Sequence, residues 1–239
     1  MTEPKLLAID SATEFCSVAY SDGQQLIVRG EEAPRRHADL LLPCVEAVLA
    51  EAQVALADLD AVIVGRGPGS FTGVRIAAGI AQGLAFSQNL PLVGISSLQA
   101  MAQQAWRLHG VPRVIAAIDA RMGEVYAGTC RQVDGLMIQE QADVVCAPSL
   151  VLSTLQLSLS DNETLAGVGT GFETYTSELI NALQPAEVKH LNDIRFPHAQ
   201  DMLVLGRAKF LAGEAVKATE FDLDYVRNEV TWQKLPGRG

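Results

Sequence analysis

The segment 65–75, Gly-Arg-Gly-Pro-Gly-Ser-Phe-Thr-Gly-Val-Arg, constrains the fold more than any other part of the sequence, and is called the glycine loop. The apolar residues Ala61–Val64 precede it and predict a buried strand. Val74–Phe86 follow it with apolar residues at helical spacing, which predicts a helix. Because glycine permits positive φ angles and close backbone approach, the loop predicts a tight turn between these two elements.

The glycine loop also has the position of a phosphate-binding loop, since helix N-termini present free N–H groups. The nucleotide-binding signatures are nevertheless incomplete. No lysine occurs between residues 65 and 86, and Ser70 stands where a dinucleotide motif needs its third glycine. Pro68 and Thr72 replace the two glycines of a Gly-x-Ser-x-Gly nucleophile motif. We therefore favour a tight turn that lets the helix pack closely, with a phosphate cradle as the alternative.

The helix after the glycine loop consists largely of alanine and glycine. Gly79 and Gly83 lie four residues apart, on one face. Each glycine inside a helix costs on the order of 1 kcal/mol relative to alanine. A second helix packed against this flat face would offset that cost, and it could belong to the same chain or to a partner.

Another helix is expected over Arg35–Ala52, with Pro43 at a kink or an irregular first turn. Apolar residues cover nearly its whole circumference, which indicates burial on more than one side.

Composition excludes several functional classes. The length of 239 residues suits one large domain or two small lobes. A net charge of −10 argues against a chain that grips nucleic acid alone, because phosphate neutralisation needs a basic face. No apolar run approaches the roughly 18 residues of a membrane span. The four cysteines form no Cys-x-x-Cys motif and favour a reduced, cytoplasmic setting.

A pattern of strand, acidic turn and strand occurs twice. Ala8-Ile9-Asp10 follows the first apolar run, and Ala117-Ile118-Asp119 repeats it. An Asp-Gly turn follows each pair of strands and predicts a hairpin. We interpret this as an internal duplication. His109–Pro112 ends a helix, which predicts an N-terminal lobe over residues 1–110 and a C-terminal lobe over 111–239 whose tail packs back on the first lobe.

Two lobes that each open with a β-meander, followed by helices and parallel strands, predict an α/β actin-like ATPase (ASKHA) fold. In such a fold the two acidic turns face a cleft, so Asp10 and Asp119 are candidates for contact with a Mg-nucleotide. The alternative is that both aspartates only form turns, which aspartate does readily. The sequence offers no His-x-x-x-His metal site, and nothing marks Ser70 or a cysteine as an activated nucleophile.

The glycine loop, together with Leu7–Thr13 and Ala117–Tyr126, closely resembles the TsaB (YeaZ) family. The tail Tyr225–Trp232 and Lys234–Gly237 fits the same family, and Gln132–Thr164 matches it least. The resemblance covers essentially the full length.

This resemblance implies a non-catalytic accessory subunit in the formation of N6-threonylcarbamoyladenosine at tRNA position 37. The implied partners are a catalytic TsaD-like paralogue, a TsaE-like ATPase and a second copy of the chain, with tRNA contacted only indirectly and no membrane involved. No cofactor is required by this chain, and ATP-Mg is expected only in the complex, with Asp10 and Asp119 in a degraded cleft.

The resemblance also places the partner interface on the two first-lobe helices. The residues expected there are Leu41, Val45, Val48, Arg75, Ile76, Gly79, Ile80 and Gly83. The alternative functions are an independent ATPase that uses Asp10 and Asp119 and, with no supporting residue, an M22-type peptidase.

Overall fold

A computed structural model describes residues 3–227 of the 239-residue chain, so the part of the family resemblance from residue 228 onward lies outside the described residues. The described strands are β1 (Leu6–Asp10), β2 (Phe15–Ser21), β3 (Leu26–Glu32), β4 (Ala61–Gly65), β5 (Pro91–Ile95), β6 (Arg113–Arg121), β7 (Glu124–Val133), β8 (Leu136–Gln139), β9 (Val144–Cys146), β10 (Thr164–Val168), β11 (Glu187–His190) and β12 (Val216–Lys217). The described α-helices are α1 (His37–Ala52), α2 (Phe71–Gln88), α3 (Ser97–His109), α4 (Val151–Thr154), α5 (Thr170–Thr174), α6 (Thr176–Ala182) and α7 (Ala199–Leu211).

The strands form two sheets with the same internal arrangement. In the first, with the order β12-β5-β4-β1-β2-β3, the antiparallel meander β1–β3 is extended by β4 and β5, which run parallel to β1. In the second, with the order β11-β10-β6-β7-β8, the meander β6–β8 is extended by the parallel strands β10 and β11, and β9 pairs with β7. This repeated topology confirms the predicted actin-like fold.

Successive side chains of a strand point to opposite faces of its sheet, so each face packs against its own layer of helices. Leu7 and Ile9 of β1 face α1 and α2, whereas Leu6 and Ala8 face α7 on the other side of the sheet. The second sheet packs against α3 on one face and against α4, α5 and α6 on the other. Because α3 and α7 also contact each other, they form a central layer between the two sheets.

The predicted division at residue 110 does not coincide with this packing. Helix α3 precedes that boundary, yet Leu98 and Met101 belong to the core of the second sheet. Helix α7 and strand β12 follow the boundary but pack on the first sheet, where Val216 of β12 pairs with Leu92 of β5. Each lobe therefore contributes a helix to the central layer that packs on the other lobe's sheet.

An ion pair between a partly exposed arginine and a buried aspartate joins the two central helices. Arg107 of α3 donates from Nε and Nη2 to the two carboxylate oxygens of Asp201 in α7, at 2.8 and 2.9 Å. Asp201 is fully buried, and burial raises its pKa even though the guanidinium acts in the opposite direction. Arg107 therefore supplies two charge-assisted hydrogen bonds to the buried carboxylate across the contact between the central helices.

We expect Arg107→Ala to lower the free energy of unfolding by about 3 kcal/mol, because the substitution leaves a buried carboxylate without its cation. Arg29→Ala is the matched control: its half-exposed pair with Glu51, at 2.6 Å, is worth about 1 kcal/mol at most. Urea denaturation of both variants tests the prediction. Equal losses would show that the central pair contributes no more than a surface pair.

Candidate functional site

The glycine loop packs directly on the turn between β1 and β2. A Cβ atom at Gly69 would overlap the carbonyl oxygen of Ala12, and one at Gly73 would overlap that of Ser11. The Ser70 N–H donates to the Ala12 carbonyl at 2.7 Å, and the Ser11 hydroxyl donates to the Gly73 carbonyl at 2.9 Å. The space that the missing side chains leave is therefore filled by the protein's own backbone, which favours the tight turn over the phosphate cradle.

Asp10 ends β1 behind this contact and is fully buried. The Ala12 N–H donates to its Oδ2 at 3.3 Å, while its Oδ1 has no hydrogen-bond partner among the described residues. Burial raises the pKa of Asp10 to about 7, and the Ala12 N–H opposes this rise. Oδ1 lies against Gly65, where a Cβ atom would overlap it. In this conformation the expected contact between Asp10 and a Mg-nucleotide is therefore blocked.

Asp119 lies in the equivalent turn of the second lobe and is bound within that turn. Its Oδ1 accepts from the Arg121 N–H at 2.8 Å, and its Oδ2 accepts from the Arg121 guanidinium at 3.1 Å. The same guanidinium lies 3.5 Å from Glu14 in the first turn. The two acidic turns therefore face each other as expected, and the Arg121 guanidinium lies between Asp119 of one turn and Glu14 of the other.

Three of the residues expected at a partner interface lie in the protein's own core. Leu41, Val45 and Val48 of α1 are buried and pack against the first sheet. The prediction that they contact a partner is therefore wrong, as is the prediction that α1 is buried on more than one side. Leu42, on the opposite face of α1, is 42% exposed.

The outer face of α2 is left uncovered by residues 3–227. Gly79 and Gly83 are exposed, and a Cβ atom at either position would meet none of the described atoms within 4 Å. Phe71 and Phe86, near the two ends of the helix, are 66% and 72% exposed. The other expected interface residues on this helix, Arg75, Ile76 and Ile80, are partly exposed.

An aromatic cluster marks the N-terminal end of this face. The Arg75 guanidinium carbon lies 3.4 Å from the centre of the Phe71 ring and 4.9 Å from that of Tyr225. Arg75 also donates to the Phe71 carbonyl at 2.7 Å and to the Tyr225 hydroxyl at 2.8 Å. These bonds hold the guanidinium close to both rings.

Comparison with known proteins gives consistent matches over nearly the whole chain. The family model for TsaD, tRNA N6-adenosine threonylcarbamoyltransferase, matches residues 28–226. A protein named tRNA threonylcarbamoyladenosine biosynthesis protein TsaB in Escherichia coli K12 is 41% identical, over 98% of this chain and 99% of its own length. A protein of the same name in Haemophilus influenzae Rd is 42% identical, over 98% of both chains. The chain belongs to the TsaB (YeaZ) family.

Solved structures agree with the TsaB assignment. The structure described as YeaZ from Pseudomonas aeruginosa superposes with a TM-score of 0.84 at 40% identity, covering 93% of this chain and 99% of that one. A second Pseudomonas aeruginosa structure, described as an uncharacterized protein with similarity to peptidase YEAZ, gives a TM-score of 0.86 at 40% identity, with 94% and 100% coverage.

Two nucleophile candidates of this TsaB-family chain, Ser70 and Cys16, show no sign of activation within the described residues. Ser70 caps α2 by accepting the Gly73 N–H at 3.3 Å, and neither a histidine nor a carboxylate hydrogen-bonds to it within residues 3–227. Burial raises the pKa of Cys16 to about 12. Within the same residues, no group of three or more histidine, cysteine or acidic side chains is arranged to hold a metal ion. None of the described helices is long and apolar enough to cross a membrane.

The interface residues expected from the sequence did not include three exposed aromatic residues that lie beside them, Phe71, Phe86 and Tyr225. Phe71 lies four residues before Arg75, and Phe86 lies three residues after Gly83, so helical spacing alone places both near the glycine face. Tyr225 carries no such signal, because its position depends on the fold of a distant segment.

We expect Gly73→Ala and Gly79→Ala, two substitutions in the same helix, to have opposite effects. Gly73→Ala should destabilise the protein by about 2 kcal/mol or more, because its Cβ would overlap the Ser11 carbonyl. Gly79→Ala should stabilise it by about 1 kcal/mol, because the site is open and alanine favours a helix. Chemical denaturation measures both. A loss at Gly79 matching that at Gly73 would contradict the packing explanation.

We expect the buried Asp10 carboxyl to make stability fall as the pH rises from about 4 to about 7. The folded state keeps its proton up to about pH 7, whereas the unfolded chain releases it near 3.8, so the folded state binds more protons in this window. Asp10→Asn should remove this dependence and gain a few kcal/mol above pH 7.

Denaturant titrations at several pH values measure the effect of Asp10→Asn. Asp143→Asn is the control, because the pKa of Asp143 is raised by burial only to about 6. The slope between pH 6 and 7 should therefore survive Asp143→Asn and disappear with Asp10→Asn. A slope that survives Asp10→Asn would contradict the assignment.

Proposed function

We propose that this chain is a non-catalytic subunit in the formation of N6-threonylcarbamoyladenosine at tRNA position 37. It acts by docking on a TsaD-like catalytic paralogue, and a TsaE-like ATPase joins that pair. The observation that carries the proposal is the open outer face of α2. The names of the family's relatives supply the pathway.

The shape of α2 favours contact with another helix. Its inner face, with Ala77, Ala81 and Ala85, packs on the first sheet, so the helix is already held in the fold. Its outer face offers Gly79 and Gly83, where a helix backbone can approach closely. Two glycines in a helix interior cost on the order of 2 kcal/mol relative to alanine, which a docked helix would offset.

The geometry of the two acidic turns supports a role without catalysis. An independent ATPase would need a carboxylate that reaches a hydrated magnesium ion. The Asp10 carboxyl lies behind the glycine loop, and Asp119 is bound by Arg121. We therefore propose that ATP-Mg acts in the assembled complex, without either aspartate as its ligand in the conformation described.

The charge of the chain supports indirect contact with tRNA. A net charge of −10 repels a polyanion, so the basic surface that binds tRNA would come from a partner. The same α2 face can pair with a second copy of the chain, which we propose competes with the paralogue for it. The cytoplasmic location expected from the sequence stays a prediction.

We expect Gly83→Leu to weaken docking on the TsaD-like paralogue by at least about tenfold, because leucine would prevent a helix from approaching this face. Ser177→Leu is the control, since it adds the same side chain to an exposed helix of the second lobe. Isothermal titration with the purified paralogue gives the affinities, and circular dichroism checks the fold.

Reconstitution of the tRNA modification, with and without this chain, tests the same proposal at the level of activity. Gly83→Leu should reduce product formation in parallel with its loss of affinity. Affinity and activity that match those of Ser177→Leu would reject docking through α2. ATP hydrolysis by the isolated chain, lost in Asp10→Asn, would favour the independent ATPase instead.

A further inference from the structure

We propose that residues 213–227, here called the strap, carry part of the docking surface. In this proposal, Tyr225 and two residues of α2, Phe71 and Arg75, form an anchor for a carboxylate on a helix of the TsaD-like partner. Arg227 holds that anchor in place from the second lobe. The inference rests on the proposed function and adds to the docking surface a segment outside the two first-lobe helices.

The strap crosses the first lobe and is fixed along its length. Near its start, β12 pairs with β5 at the edge of the first sheet. Gln82 of α2 donates to the carbonyls of Ala218 and Phe221 at 3.1 and 3.3 Å. Further along, Asp224 forms an ion pair with Arg66 of the glycine loop at 2.7 Å. The strap therefore reaches the N-terminal end of α2 along a defined path.

The anchor has the composition of a protein–protein hot spot. Tyrosine and arginine are enriched at such positions, and a guanidinium held by hydrogen bonds next to two rings loses little further freedom on binding. Phe71 and Tyr225 are both exposed, at 66% and 46%. Phe71, Arg75, Gly79 and Gly83 recur at intervals of four residues, which makes the anchor continuous with the docking face.

Charge indicates what the anchor binds. Arg75 has no carboxylate within 4 Å among residues 3–227, although the chain is strongly acidic. Among residues 3–227, its guanidinium contacts a carbonyl, a hydroxyl and two rings. A partner carboxylate would complete the ion pair through charge-assisted hydrogen bonds to this guanidinium. We therefore propose that Arg75 binds an acidic side chain of the partner.

Arg227 connects the anchor to the second lobe. It lies two residues after Tyr225, donates to the Ala120 carbonyl at 3.3 Å and forms an ion pair with Glu124. Its guanidinium also lies 5.9 Å from the centre of the Tyr126 ring. With Asp224 fixed on one side and Arg227 on the other, the strap has little freedom to move Tyr225. Arg227 is therefore a positioning residue for docking.

We expect Tyr225→Ala to weaken binding of the TsaD-like paralogue by about tenfold, measured by isothermal titration with the full chain. Tyr225→Phe should lose less, because it keeps the ring over Arg75 and removes only the hydroxyl. Raising the salt concentration should weaken binding of the unmodified chain more than that of Arg75→Gln, since only the former forms the ion pair. Unchanged affinity in Tyr225→Ala would overturn the proposal.

A charge exchange tests the positioning role of Arg227. Arg227→Glu and Glu124→Arg should each weaken docking several-fold, and the double variant should restore the affinity to within about twofold. Arg195→Glu is the control, because Arg195 joins Glu173 and Glu32 across the lobes without touching the strap. A double variant no better than the single ones, or an equal loss in Arg195→Glu, would reject this role. If Arg227→Glu does not fold, Glu124→Gln gives the same test with a smaller change.

Failure of the strap proposal is distinguishable from failure of the proposed function. If Gly83→Leu abolishes docking while Tyr225→Ala and Arg227→Glu do not, the function stands and the strap has no part in it. If Gly83→Leu also leaves the affinity unchanged, the proposed function fails. Strap variants that alter only self-association, measured by analytical ultracentrifugation, would assign the anchor to a second copy and overturn the choice of partner.

Discussion

The close contact between the glycine loop and the first acidic turn determines the arrangement of the first lobe. The hydrogen bond from Ser70 to Ala12 sets where α2 begins, and the absence of side chains at Gly69 and Gly73 lets the turn reach the helix. The second lobe uses a related contact, since Cβ atoms at Gly169 and Gly171 would overlap β6 at Ala117. The internal repeat thus extends beyond the strands. In each lobe, glycines at the start of a helix let that helix pack against the backbone of the meander.

The same contact explains why the nucleotide cleft could not be judged from sequence. An aspartate at a strand end is equally suited to hold magnesium or to form a turn, and its neighbours along the chain do not distinguish these roles. The decisive neighbour of Asp10 is Gly65, which is remote in sequence and contributes only the lack of a side chain. For Asp119 the signal was closer, because Arg121 lies two residues away and bridges to the other turn.

Local pattern predicted most strands and helices because runs such as Ala61–Val64 are apolar and β-branched, and α2 has clear helical spacing. It did not predict which sheet a helix packs on. Helix α3 follows the first lobe in sequence but belongs to the core of the second, since packing partners are set by topology rather than by period. Apolar residues surround α1, so the sequence pattern did not show that only one face of this helix is buried. Leu41 lies in the core, whereas its neighbour Leu42 is exposed.

The strap connects α2 and the glycine loop to the second lobe. The central layer already joins the lobes through the ion pair of Arg107 with the buried Asp201, so the body of the protein can act as a rigid support. A rigid support benefits an interface, because less freedom is lost on binding. Helix α2 is fixed to that support at its base by the glycine loop and along its side by the strap. A protein that acts by presenting one helix to a partner gains affinity from every contact that holds this helix still, even when the contact lies in the other lobe.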